Sequence, residues 1–243
     1  MTLRRRPILL LVFVLFLSVG FSQIQFNDHI VRYESWVDAT IKYHVSQKIW
    51  VGGDFGTRGI IGPREMNLIY FRPTVSIGLS DIFTLSAAVG SFNSFHTDIT
   101  NTYELRLTQD VVASWPDFGW IKLYQRVRLD ERFFAYQDSV ESDVTFRIRY
   151  ALGCKTKNVK IIGPGEHFFF GLAWEIFIPV GQRAVELFSN NQRFSAVVGY
   201  ELDPRFEFQF HYILQRSRVF LKQSADATEH VFRFRLLYTM NPQ

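Results

Sequence analysis

Apolar and charged residues alternate one by one over long stretches of this 243-residue chain, and few folds accommodate that pattern. Near the C-terminus Phe232, Phe234, Leu236 and Tyr238 fall on one side of an extended chain, with Arg233, Arg235 and Thr239 on the other. In 143–152, Val144, Phe146, Ile148, Tyr150 and Leu152 oppose Asp143, Thr145, Arg147 and Arg149. In 206–215, Phe206, Phe208, Phe210, Tyr212 and Leu214 oppose Glu207, Gln209, His211 and Gln215. In 121–130, Ile121, Leu123, Val127 and Leu129 oppose Lys122, Arg126, Arg128 and Asp130. A period of two belongs to a strand with two unlike faces; a helix would spread these charges around its circumference.

The same unit of 10–14 residues followed by a turn predicts further strands at about 34–45, 48–57, 66–79, 82–92, 101–114, 167–178 and 192–202. That makes eleven, with 24–32 a weaker twelfth. Tight connections are read at Ser46-Gln47, Ser80-Asp81, Trp115-Pro116-Asp117 and Asp203-Pro204. Longer ones are read at 58–65, 93–100, 131–141, 179–191 and 217–228, with the connection 154–166, of about twelve residues, out of step. Alternating short and long connections are those of an outer-membrane barrel. Their parity sends strand 34–45 down, in the direction of the last strand, so an antiparallel barrel needs an upward strand before it. The expected fold is all-β: an antiparallel transmembrane β-barrel of about 12 strands (range 10–12).

Residues 1–22 read as a signal peptide, leaving 23–243 as a single barrel domain. Arg4, Arg5 and Arg6 precede the apolar run Ile8–Leu17, and Gly20 and Ser22 flank a cut before Gln23. The run is shorter than the ~20 residues of a membrane-spanning helix. Removal of the three arginines leaves 24 basic residues against 23 acidic ones, a balance of +1 that argues against a nucleic-acid partner. Cys154 is the only cysteine, so no internal disulfide can form, and no Cys/His spacing suits zinc.

Such strands can close in two ways, with the apolar face inward as in a soluble barrel or outward into lipid. The bulk of the Phe, Leu, Ile and Tyr face and the preference for Arg over Lys favour the second. Aromatic residues near strand ends (Trp50, Trp115, Phe118, Trp120, Phe133, Phe134 and Tyr238) suit interfacial girdles. For the hairpin 101–130, a loop centred on Pro116 sets Glu104 against Arg128 and Asp110 against Lys122; Gln109 and Gln125 then interrupt the lipid face.

The run Phe146-Arg147-Ile148-Arg149-Tyr150, the segment Leu172-Ala173-Trp174-Glu175-Ile176-Phe177, Asn191-Gln192-Arg193-Phe194, Val198-Gly199-Tyr200 and the closing Phe232–Tyr238 strand together resemble a family of short outer-membrane barrels known only as a domain of unknown function (a DUF). Trp36 and the tight turn before Trp50 fit it too. The resemblance implies fold and location and brings no catalytic residues. Many such barrels end on an aromatic residue, whereas Met240-Asn241-Pro242-Gln243 follow Tyr238 here.

The residues expected to line the lumen are Arg72, Glu104, Arg106, Arg126, Arg128, Asp143, Arg147, Arg149, Glu175, Arg193, Glu201, Glu207, Arg233 and Arg235, with Asp110 among their acidic partners. Paired across strands they would plug the barrel; in excess they would bias a narrow pore or solute-binding cavity toward anions. No nucleophile elbow, phosphate loop or metal motif appears, so catalytic residues, metal and cofactor are all expected to be none. His44, His96, His167 and His211 lie in different elements. The near-repeat of 60–65 and 161–166 reads as shared turn chemistry. The expectation is a non-enzymatic barrel in the outer membrane of a Gram-negative bacterium, with outer-membrane lipid and the barrel-insertion machinery as partners and its solute open. A membrane-embedded lipid-modifying enzyme and a soluble periplasmic barrel holding an apolar ligand are the alternatives.

Overall fold

A computed structural model describes residues 29–62, 66–97, 100–139, 142–160, 167–180, 188–219 and 225–240. The 1–22 segment and the near-repeat at 161–166 lie outside the described residues. The strands are β1 (His29–His44), β2 (Ile49–Ile60), β3 (Met66–Gly78), β4 (Phe83–His96), β5 (Thr102–Ser114), β6 (Ile121–Tyr136), β7 (Ser142–Thr156), β9 (His167–Val180), β10 (Phe188–Glu201), β11 (Phe206–Val219) and β12 (Ala225–Met240). A two-residue piece, β8 (Val159–Lys160), pairs with the start of β9.

Each long strand pairs with the next, β7 passing directly to β9, and β12 returns to β1. The sheet is thus a closed barrel of eleven strands. All long-strand pairings are antiparallel except the last, in which β1 and β12 run parallel from His29↔Asp226 to Tyr43↔Met240. The direction inferred from the turns is right, since β1 does run the same way as β12. The twelfth strand expected at 24–32 is corrected: residues 29–32 belong to β1, and closure is reached by a parallel seam. Slanted parallel bonds satisfy the backbone nearly as well as antiparallel ones, so an odd count leaves no open edge.

One end of the barrel carries the turns 45–48, 79–82 and 202–205. Ser46 Oγ accepts the amides of Lys48 and Ile49, Ser80 Oγ those of Ile82 and Phe83, and Asp203 Oδ1 those of Arg205 and Phe206. These side chains stand in for a backbone acceptor and tighten the reversal. The connection 115–120 closes at the same end, around Gly119 at φ 63° and a Phe118–Ile121 bridge. At the opposite, loop end the strands run longer than expected, so the connections shrink to 61–65, 97–101, 137–141, 181–187 and 220–224. In β6, Glu131 points outward and Phe133 and Phe134 sit side by side, which hides the alternation that continues to Tyr136.

The β5–β6 register corrects the expected one. The loop centres three residues beyond Pro116, so Asp110 faces Arg128, Glu104 faces Phe134, and Lys122 faces Lys155 of β7. Face parity is kept, since a shift by an even number preserves which side each residue occupies.

The faces divide as the alternation requires. Outward positions carry exposed apolar side chains, among them Phe71 at 59%, Leu172 at 62% and Phe234 at 57% exposure. Among the described strand residues the outward charges are Glu131 and Arg216. Gln109 donates to Glu131 Oε1 at 3.1 Å, so the polar spot expected at Gln109 is a hydrogen-bonded pair. Inward positions carry the charges, yet large aromatics also point in, and six of them are buried: Trp36, Tyr70, Phe92, Phe134, Phe169 and Phe177. Of the residues assigned to girdles, Phe134 and Trp50 therefore face the lumen, while Trp115, Phe118, Trp120 and Phe133 are exposed. Glycines make room for the inner rings: a Cβ on Gly199 would sit 2.1 Å from the Phe169 ring, its register partner.

The parallel seam is open to test. In a Cys154→Ala background, Val37→Cys and Phe234→Cys occupy facing outward positions, and oxidation is expected to lock them into a fast-migrating species on gels. Failure to cross-link would mean that another strand separates β1 from β12.

Candidate lumen site

Inside the barrel the charged residues form a belt of cross-strand pairs. Arg72 on β3 holds Asp54 on β2 through two bonds of 2.9 and 3.0 Å. Arg128 on β6 forks onto Asp110 on β5 at 2.6 and 2.7 Å. Glu104 accepts from Arg106 at 2.5 Å and from Arg132 at 2.7 and 2.9 Å, which lets two arginines face each other in register. Asp130, with 0% exposure, receives Arg147 at 2.8 Å and lies 3.6 Å from Arg149. Glu175 gathers Arg126 at 2.5 Å, Arg149 at 2.8 Å and Arg193 at 3.5 Å from three strands. Across the parallel seam Asp38 on β1 binds Arg233 at 2.5 Å and Arg235 at 3.1 Å, both from β12.

The planar fork of Arg explains why this belt holds almost no lysine: two parallel N–H donors match a carboxylate edge that an ammonium meets at one point. The belt continues through amides, with Arg193 bonded to Gln215, and Gln215 and Ser217 both donating to Glu229. The inner rings back the guanidinium groups. Arg106 lies 4.0 Å from the Phe92 centroid and Arg132 4.6 Å from Phe134. Phe177 meets Arg147, Arg149 and Arg193 at 4.8–5.3 Å. These contacts add to the ion pairs without using their donors.

A cavity of about 460 Å³ runs through this region. Its lining reaches Met66, His96 and Thr102 at the loop end and Tyr124, Ala173 and Arg235 toward the other. Of the fourteen expected lumen residues, Arg72, Glu104, Arg106, Arg126, Arg128, Arg147, Arg149, Glu175, Arg193, Arg233 and Arg235 line it. Asp143, Glu201 and Glu207 lie on the lumen face near strand ends and do not. Asp143 accepts the Tyr136 hydroxyl at 2.7 Å, Glu201 accepts from Asn158 at 2.6 Å, and Glu207 accepts from Gln209. Barrel height separates them, since a strand of 14 or 15 residues outruns the chamber at both ends.

The sequence reading missed Glu34, Trp36, Asp38, Asp54, Arg58, Asp130, Arg132 and Glu229 as lumen residues. Their parity was legible for Asp130, which alternates with Leu129. Arg58 and Asp54 sit in a glycine-rich strand whose alternation is weak, and Trp36 looks like an outward residue by its chemistry. His96 and His211, read as unrelated, both border the cavity.

Asp130 is the sharpest test of the belt. Asp130→Asn keeps the shape but leaves Arg147 and Arg149 short of a counter-charge, and the expected loss is about 3 kcal/mol. Urea or heat unfolding of the folded barrel, followed by gel migration, reads it; a loss under about 0.5 kcal/mol would show that water already screens the belt.

No curated protein matches the chain. The model of the family described as a protein of unknown function (DUF2490) matches residues 33–239, from the fifth residue of β1 almost to the end of β12, and so covers every strand of the barrel. The chain belongs to that family of proteins of unknown function, DUF2490.

Proposed function

We propose that this protein is a non-catalytic outer-membrane barrel of a Gram-negative bacterium, exported by a signal peptide cut before Gln23. Its lumen acts as an ion-paired chamber that stiffens the barrel and holds a small solute, and it is too crowded to serve as a wide channel. The observation that carries this is the inversion of the faces: rings and aliphatic groups outside, guanidinium and carboxylate groups inside. An aqueous exterior of this kind would expose a continuous apolar surface far beyond the few hundred Å² that soluble monomers tolerate. Hydrocarbon removes that penalty and imposes the other half of the pattern, because a lipid-facing charge costs about 2–4 kcal/mol at mid-depth. A soluble barrel holding an apolar ligand would need the reverse arrangement.

Eleven strands at the usual spacing and tilt give a backbone-to-backbone width of roughly 22 Å. Arginines projecting from every side occupy most of it. By the usual rule the loop end faces outward from the cell and the tight turns face the periplasm.

The expected result of fractionation is that the chain stays with outer membranes after an alkaline wash and needs detergent for release, with Gln23 at the mature N-terminus by mass spectrometry. Release into the aqueous phase would overturn the location. In planar bilayers the expected conductance is absent or far below that of open sixteen-stranded porins; porin-sized steps would overturn the crowded-lumen reading.

A further inference from the structure

One guanidinium in the chamber takes no part in the ion-pair belt. Arg58, on the inner face of β2, stands opposite Trp36 on β1 and Leu68 on β3. Its guanidinium lies 4.2 Å from the Trp36 centroid and 5.1 Å from the Tyr70 centroid, and both rings are buried. Among the described residues no carboxylate comes within ion-pair distance of it. The nearby carboxylates are engaged by neutral donors instead: Glu34 accepts from the Trp36 indole at 2.7 Å, and Glu229 accepts from Gln215 and Ser217. Cation–π contacts hold Arg58 in place and leave its N–H donors unused.

The charge count at this level points the same way. Eleven arginines line the cavity: Arg58, Arg132 and nine of the expected fourteen residues. Eight carboxylates lie on its wall or directly behind it: Asp38, Asp54, Glu104, Asp110, Asp130 and Glu175, bonded to those arginines, and Glu34 and Glu229, held by neutral donors. The excess is three positive charges inside a narrow lumen, where field lines are focused and an anion is drawn in. Two further arginines approach the Trp36 ring, Arg193 at 5.2 Å and Arg233 at 5.9 Å, but they are paired with Glu175 and Asp38, which leaves Arg58 as the cation there without a carboxylate of its own. Elsewhere on the wall the buried Nε of Arg126 has no hydrogen-bond partner.

We propose that the chamber binds a small phosphate-type oxyanion, free or as the phosphoryl group of a small soluble ester, with Arg58 as its principal ligand. A tetrahedral oxyanion of charge near two offers acceptor edges that fit the Arg58 fork and offsets most of the excess. The chamber's 460 Å³ leaves room for an ester's organic part, and its lining extends toward the loop end at Met66, His96 and Thr102. This deepens the reading of the lumen as a solute-holding chamber and rests on it, but does not depend on the membrane location.

The test is calorimetric titration of the purified full chain in non-ionic detergent, at constant ionic strength in chloride, with inorganic phosphate and with glycerol 3-phosphate. Saturable binding of either is expected, and the tighter of the two identifies the free or esterified source. Arg58→Gln is expected to weaken it at least tenfold, since more than one charge-assisted bond is lost. Arg58→Lys should fall between, keeping the charge without the fork. Lys122→Gln, on the lumen face near the turn end and outside the chamber, should bind as the native chain does. Heat-dependent gel migration confirms that each variant is folded; if Arg58→Gln is not, Arg58→Lys carries the comparison with at least a threefold loss. No saturable binding by the native chain, or unchanged binding by a folded Arg58 variant, overturns the proposal. The titration reads the same way wherever the chain fractionates, so its failure is distinct from a failure of the location.

Discussion

A buried guanidinium is tolerable only when acceptors or ring faces replace the water it has lost, and this barrel must meet that condition eleven times around one axis. Its solution is to place carboxylates among the arginines so that Asp38, Glu104, Asp130 and Glu175 each serve two or three of them. Glu175 is held from β6, β7 and β10 together, and Asp38 ties two arginines of β12 to β1. Such shared acceptors join strands that are not neighbours in the sheet. They lock register as well, because a slip of two residues would move each fork off its partner while leaving the apolar face unchanged.

That dependence explains the hairpin of β5 and β6. Parity alone permits any even register, and a pairwise rule against opposing like charges forbids several of them. The observed pairing nevertheless sets Arg106 directly against Arg132, because Glu104 bridges the two from the side. A third charge converts a repulsive pair into a bound triad. Pairwise cross-strand rules, sound for exposed hairpins, therefore mislead inside a lumen where three or more strands contribute to each contact.

The inner aromatics play a comparable part. Phe92, Phe134 and Phe177 each lie within about 5 Å of the arginines they support, and Trp36 is ringed by three. Rings fill space between the forks that water would otherwise occupy and present a negative face to the cations. The lumen is thus a mixed lattice of ions and rings, in contrast to the outer surface, where Gln109 and Glu131 form an isolated polar pair.

What the sequence determined by itself was the face of residues in the clearly alternating strands, the shared direction of β1 and β12 and nine of the chamber's eleven arginines, because a period of two is a local property of an extended chain. Strand ends were less legible where Glu131 or adjacent phenylalanines interrupted the rhythm, and lumen residues were missed where glycines diluted it, as around Asp54 and Arg58. Three matters were decided only by the tertiary structure. Closure at eleven strands depends on β1 meeting β12 in parallel, a contact between residues almost 200 positions apart. The register of β5 on β6 depends on charges from a third group in space. The isolation of Arg58 depends on which rings and carboxylates the closed barrel brings around it, and no neighbour in sequence carries that information.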